Sequence, residues 1–249
     1  MNLIPDNKPS IAALIWDFDN TLADTRTRNL NVTRRIVNHL CDHDIDSIPA
    51  LASIGDYENA LNSHRNWQDF YIQSLGFSRS CLADAGRCWT LFQLDDPTPV
   101  TPLPILDELL FSFRSVPQAI VSQNSSRIIS KFLSEIGKKS YFKTIVGYEE
   151  VGFDFQKPHP RGLLTTLNNL FPSGFRTAVY IGDQDTDILC AQRAQSELRG
   201  AGHMGRILTI GVEYWRSTSA HIWDADPNYT ASVPSQLYSI LQNLHHDCH

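Results

Sequence analysis

At 249 residues the chain has room for one large domain, or for a core with one insertion, and for a substantial hydrophobic interior. Its 42% hydrophobic and 19% charged residues, with a formal net charge of −6, describe an ordinary soluble globular protein and lack the basic excess of a nucleic-acid binder. The five cysteines, Cys41, Cys81, Cys88, Cys190 and Cys248, are odd in number and irregularly spaced, which argues against a disulfide framework and for a reducing cytoplasm. No signal peptide is evident at Met1-Asn2-Leu3-Ile4-Pro5-Asp6, and no run approaches the roughly 20 apolar residues of a membrane span.

In chain order, Ile11-Ala12-Ala13-Leu14-Ile15-Trp16 reads as a strand buried on both faces, and two carboxylates, Asp17 and Asp19, stand at its exit. From there the pattern turns helical. Leu30, Val32, Ile36, Val37 and Leu40 share one helix face, and Tyr57 to Leu75 and Cys81 to Leu94 repeat that spacing up to the turn-rich Asp95-Asp96-Pro97-Thr98-Pro99. Residues 25–98 therefore read as an all-helical insert, with residues 1–24 and 99–249 forming the catalytic core. Beyond it strands and helices alternate: Ala119-Ile120-Val121, Arg127 to Ile136, Thr144-Ile145-Val146, Arg161 to Leu170 and Ala178-Val179-Tyr180-Ile181. The run Ile207-Leu208-Thr209-Ile210-Gly211-Val212 adds a strand, and Val233 to Leu244 a last amphipathic helix. This alternation predicts an α/β fold, a Rossmann-like doubly wound parallel sheet with an inserted all-helical cap.

In such a sheet, loops leaving the carboxyl ends of the strands line one crevice. Four segments meet there: Asp17-Phe18-Asp19-Asn20-Thr21, Ser122-Gln123-Asn124, Lys157-Pro158 and Gly182-Asp183-Gln184-Asp185-Thr186-Asp187. Taken singly each has a bland explanation: solvated acids at a strand end, a helix N-cap, a surface lysine before a proline turn, acids favouring a helix dipole. Together they specify phosphoryl-transfer chemistry around a magnesium ion. Asp17 suits a nucleophile that forms an aspartyl phosphate, and Asp19 an acid that protonates the departing alkoxide and later activates water. Ser122 and the amides of Gln123 and Asn124 suit phosphoryl oxygens, and Lys157 neutralises the transferred group. Mg2+, which prefers octahedral oxygen ligation and keeps some waters, is assigned to Asp17, the backbone carbonyl of Asp19 and Asp183, with Asp187 in support.

These residues resemble a family, the haloacid dehalogenase-like superfamily, whose phosphatases carry an Asp-x-Asp-x-Thr motif, a Ser/Thr after the second strand, a Lys, and Gly-Asp-x-x-x-Asp. The resemblance covers nearly the whole chain, and Val146-Gly147-Tyr148-Glu149-Glu150-Val151 before Lys157-Pro158-His159-Pro160 is similar to phosphoglycolate phosphatase-like members. It implies a Rossmannoid core with a helical cap, and the same roles for Asp17, Asp19, Ser122, Lys157 and Asp183. Thr21, which completes the first motif, joins Ser122, Gln123 and Asn124 as a substrate-binding candidate. Haloacid dehalogenases proper lack an acid at the position of Asp19, so a phosphatase is expected rather than carbon–halogen cleavage. Two departures stand out: Asn20 where glycine is common, and Gln195-Ser196-Glu197-Leu198-Arg199-Gly200, longer than the usual short turn there.

The expected activity is magnesium-dependent hydrolysis of a small phosphorylated metabolite, phosphoglycolate or a sugar or nucleotide monophosphate, by a monomer or small homo-oligomer without nucleic-acid or membrane partners. A phosphomutase using the same core and a non-catalytic phosphate-binding regulatory protein are the alternatives. Arg26, Arg28, His64, Arg65 and Trp67 are the cap candidates for substrate contact. His39 and His43 flank Cys41 at helical spacing, but without further ligands the segment reads as a frayed helix end. His245, His246 and His249 read as a polar tail.

Overall fold

The computed structural model describes residues 11–41, 44–215 and 223–246; His43 and His249 of the histidine segments lie outside them. The strands are β1 (Ile11–Trp16), β2 (Ala23–Asp24), β3 (Thr101–Pro102), β4 (Gln118–Val121), β5 (Phe142–Val146), β6 (Thr177–Gly182), β7 (Arg206–Val212) and β8 (Tyr229–Ala231). The helices are α1 (Arg26–Leu40), α2 (Ile54–Asn62), α3 (Trp67–Gln73), α4 (Leu82–Asp95), α5 (Leu106–Ser112), α6 (Ser126–Glu135), α7 (Tyr148–Val151), α8 (Arg161–Leu170), α9 (Asp185–Gly200) and α10 (Pro234–His246).

Six strands form one sheet in the order β5-β4-β1-β6-β7-β8, every neighbouring pair parallel. Parallel strands need crossover helices, which cover both faces and explain why β1, β4 and β6 are mostly apolar and almost wholly buried. Leu14 and Trp16 point into one cluster with Leu109 of α5, Phe132 of α6 and Leu237 of α10, whereas Ala13 and Ile15 point into another with Leu167 of α8 and Ala191 of α9. An irregularity between Ile11 and Ala13 shifts the alternation, so Ile11 joins Leu14 and Trp16 on the first face. Inside that face the Trp16 indole N–H donates to Gln118 Oε1 at 2.9 Å, so the buried ring keeps its polar bond.

The chain leaves the sheet through the antiparallel ribbon β2–β3, with Ala23 opposite Pro102 and Asp24 opposite Thr101. Between the two ribbon strands, α1 to α4 enclose an apolar cluster of their own, with Leu30, Ile36 and Val37 of α1, Tyr57 of α2, Phe70 and Tyr71 of α3, and Leu82 and Ala85 of α4. Each fully buried side chain of this size contributes roughly 1.5–3 kcal/mol, so the helical unit carries its own source of stability. Local polar residues set its helix starts: Ser53 accepts from the Asp56 amide at 3.1 Å and Asn66 from the Asp69 amide at 2.8 Å.

Two expectations are corrected here. The stretch Gln195–Gly200 is no turn but the last part of α9, because it holds no helix breaker before Gly200 and Leu198 packs on the second sheet cluster. Gln195 there accepts from the Ile207 amide at 2.7 Å and donates to the Gly205 carbonyl at 3.0 Å, tying α9 to the start of β7. His245 is no tail residue: it lies on α10 with its ring edge-on to Phe113 at 5.6 Å. His39 belongs to the last turn of α1 and packs against Phe92. Cys81, Cys88 and Cys190 are free thiols, and among the described residues no helix is long and apolar enough to cross a membrane.

Candidate active site

β1, β4 and β6 end side by side, so the residues that follow them meet. Asp17 is held by its own backbone amide, which donates to Ile181 O at 2.8 Å, and the Ser122 amide donates to Val146 O at 2.9 Å. Lys157 follows β5 and α7, on a peptide bond to Pro158 that is cis. Its ammonium donates to Asp17 Oδ1 at 2.7 Å and to Asp187 Oδ1 at 2.5 Å, and all three side chains are buried. Asp187, in the first turn of α9, is fully engaged: Oδ1 also meets the Tyr180 hydroxyl at 3.1 Å, and Oδ2 accepts from the Gln184 amide at 3.1 Å. The carboxylates of Asp17, Asp183 and Asp187 lie within 4.8 Å of one another.

Three acids around one ammonium leave an excess of negative charge in a dry place, which a divalent cation compensates. The oxygen donors of Asp17 and Asp183 suit a hard cation, while Asp187 is occupied in orienting Lys157. Burial pushes the Asp17 carboxyl up to about 7 against the attraction of Lys157, with the Asp187 and Asp19 charges pushing the same way as burial. Burial opposes the charged form of Lys157, but the Asp17 and Asp187 carboxylates outweigh it and keep the ammonium protonated. The Asp19 carboxyl is also raised by burial, against hydrogen bonds from Thr25, Asn124 and Asn29. Asp19 is held apart from the lysine: Asn124 Nδ2 donates to its two oxygens at 3.1 and 3.0 Å, and Asn29 Nδ2 approaches Oδ1 at 3.4 Å.

The family profile of haloacid dehalogenase-like hydrolases matches residues 14–200. The chain belongs to that family. It is 32% identical over 103 residues to a phosphoglycolate phosphatase of Pectobacterium atrosepticum, a match covering 41% of this chain and 39% of that relative. The chain thus spans well under half the length of the curated relative it matches. Among solved structures it is similar to a haloacid dehalogenase-like hydrolase of Streptococcus pneumoniae, with TM-score 0.68, 16% identity, and coverage of 93% and 99% of the two chains. It is also similar to a protein assigned as a hydrolase of this family in Bacillus subtilis, whose magnesium-bound structure reveals interdomain movement; there the TM-score is 0.62 at 18% identity, covering 94% and 99%. At such identities these structures show the shared fold.

In this haloacid dehalogenase-like chain Asp17, Asp19, Ser122, Gln123, Asn124, Lys157, Asp183 and Asp187 all line one cavity of about 900 Å³. Thr21 does not: it is fully buried, its carbonyl accepts from the Tyr214 hydroxyl at 2.8 Å, and its own Oγ1 has no partner among the described residues. Ser122 is not the helix cap, since Ser125 caps α6; Ser122 Oγ instead accepts from the Asn124 amide at 3.2 Å. That amide is consequently committed, and Asn124 reaches the site through its side chain. Gln123 donates from Nε2 to Lys157 O at 2.9 Å, bracing the lysine loop.

Of the cap candidates, Arg26, His64, Arg65 and Trp67 line the cavity and Arg28 does not, because its guanidinium donates to Thr98 O in the loop between α4 and β3. Arg26 is spent on Asp24 at 2.8 Å and on the Trp215 carbonyl. Trp67 donates to Gln156 Oε1 at 3.1 Å, linking α3 to the residue before Lys157. The sequence reading missed Tyr180, Asn29 and Gln93. Each is a polar residue in an otherwise regular strand or helix, and nothing local marks it as facing the site.

Proposed function

We propose that this protein is a magnesium-dependent phosphomonoesterase that works through a phosphorylated Asp17. The observation that carries the reading is the division of the carboxylates: Asp17 shares Lys157 with Asp187 beside Asp183, while Asp19 is held separately by Asn124 and Asn29. A divalent cation beside Asp17 and Lys157 would keep that carboxylate charged, while Asp19, held apart, is left free to carry a proton. Asp17, the Asp19 carbonyl and Asp183 would hold Mg2+, which would shield the phosphoryl oxygens.

In the first step an oxygen of Asp17 forms a bond to phosphorus, the bond to the leaving oxygen breaks, and the proton of Asp19 passes to that oxygen. In the second, Asp19 takes a proton from water as the water oxygen bonds to phosphorus and Asp17 is released. Lys157 balances the charge of Asp17 and of the transferred group, and Ser122 Oγ donates to it. Residues 25–98 serve as the cap and residues 1–24 and 99–249 as the core, joined by the β2–β3 ribbon.

The cavity favours the larger members of the expected substrate class. Its volume of about 900 Å³ and its wall of Trp67, Phe70, Tyr71 and Trp89 fit the leaving group of a nucleotide or sugar monophosphate better than a two-carbon acid. The free thiols agree with a reducing cytoplasm as the site of action. Phosphate release from a panel of monophosphates, with and without Mg2+ and with Asp17→Asn as the blank, tests the reading. Metal-dependent release confined to the intact protein supports it, and no release from any ester contradicts it.

A further inference from the structure

Among the described residues, three hydrogen-bonded side-chain pairs join α3 and α4 to the catalytic core: Trp67 to Gln156 at 3.1 Å, Thr90 to Tyr148 at 2.6 Å and Gln93 to Asn124 at 2.9 Å. The third differs in what lies behind it. Gln93 on α4 and Asn124 after β4 are each 2% exposed, so neither amide has water as an alternative partner. They form a reciprocal pair, with Gln93 Nε2 donating to Asn124 Oδ1 at 2.9 Å and Asn124 Nδ2 donating to Gln93 Oε1 at 3.3 Å.

The orientation of Asn124 follows from a donor that has no ambiguity. The Ser125 backbone amide donates to Asn124 Oδ1 at 2.7 Å, so that atom is the oxygen and the other is the NH2 group that faces both Asp19 oxygens. Gln93 must then present its own NH2 to Oδ1 and its oxygen to Nδ2. Ser125 on Oδ1 and Asp19 on Nδ2 leave the amide some freedom about its terminal torsion; Gln93, bonded to both atoms, fixes its plane.

We propose that Gln93 is a positioning residue for Asp19, acting through Asn124, so that the proton donor is aimed only while α4 is docked on the core. The inference rests on the phosphatase reading above. Without Gln93 the Asn124 amide keeps Ser125 on Oδ1 and Asp19 on Nδ2 but loses the one partner that bonds both atoms at once, so its plane is held less firmly and the aim of the Asp19 carboxyl loosens. The consequence falls on the transfer of the proton to the leaving oxygen. An alkyl ester depends on that proton, whereas nitrophenolate departs as a stable anion without it.

The test compares kcat/KM, which reports the first phosphoryl transfer, for glycerol 3-phosphate and 4-nitrophenyl phosphate in the full-length chain with Mg2+. Gln93→Leu, close in size, is expected to lose about 100-fold on the alkyl ester and less than about threefold on the aryl ester. Gln93→Glu, which stays soluble but turns an oxygen toward Asn124 Oδ1, shows the same selective loss and serves if the leucine variant fails to fold. Thr90→Val removes a neighbouring contact of α4 without touching the amide pair, and changes both esters in parallel. Parallel losses on both esters in the Gln93 variants, or no loss, overturn the inference. A wild-type protein that releases phosphate neither from these esters nor from any monophosphate of the panel instead contradicts the phosphatase reading itself.

Discussion

Asn20 shows how one residue serves the site through its backbone. Its φ of 55° is left-handed, the conformation that lets the chain turn sharply between Asp19 and the ribbon, and asparagine and glycine tolerate it where branched residues do not. The departure from glycine at this position is thereby explained. Asn20→Gly is expected to leave stability within about 0.5 kcal/mol, and Asn20→Val to cost about 1–2 kcal/mol, as read from urea unfolding. Lys157 serves the site through charge. Its removal leaves Asp17 and Asp187 buried without a counter-ion, so Lys157→Met should lose about 3–5 kcal/mol at pH 8 and nearly all phosphate release. A variant as stable as the wild type would show that the ammonium is not what compensates these acids.

At the scale of elements, the close approach of β6 and α9 places Asp183 and Asp187 of the candidate site. A Cβ on Gly182 would lie 2.3 Å from Asp187 Cγ, so the strand ends in glycine because the Asp187 carboxylate lies over it. Gly182→Ala must push Asp187 away from Lys157, and a loss of about 1–3 kcal/mol with a drop in activity is expected from thermal unfolding and turnover together. An unchanged variant would mean that Asp187 is not needed where it stands. The sequence reveals much at this scale. Apolar runs marked β1, β4 and β6, and acids or hydroxyls at their ends marked the crevice, because strand burial and strand-end chemistry are both local signals. Less legible were β8 and the β2–β3 ribbon, each only two or three residues long, and α5 beside its prolines. Gln195–Gly200 was misread as a turn since its helical continuation depends on packing against the sheet, which spacing alone does not display.

For the whole molecule, the candidate site is a place where function costs stability. Asp17 is raised to about 7 by burial, so the folded protein binds more protons than the unfolded chain across the window from its ordinary value near 3.8 up to about 7. That contribution is fully present below the lower value and is lost as pH rises through about 7. Metal-free protein should therefore lose thermal stability over this window, Asp17→Asn should flatten the loss, and Mg2+ should raise the midpoint most at its upper end. An identical pH profile for wild type and Asp17→Asn would show that burial of this carboxylate has no such linkage. The residues that couple the two halves, Gln93 with Asn124 and Trp67 with Gln156, were not legible as a set, because their pairing spans 31 and 89 residues. Only the folded arrangement of α3 and α4 over the crevice brings them together.

The central claim is that Asp17 receives the phosphoryl group. Rapid quenching during turnover with Mg2+, followed by peptide mass analysis with borohydride trapping of the acyl phosphate, should locate it on the peptide containing Asp17. The label should be absent from Asp17→Asn. Steady turnover with no trapped group at Asp17, together with an active Asp17→Asn variant, would contradict the account.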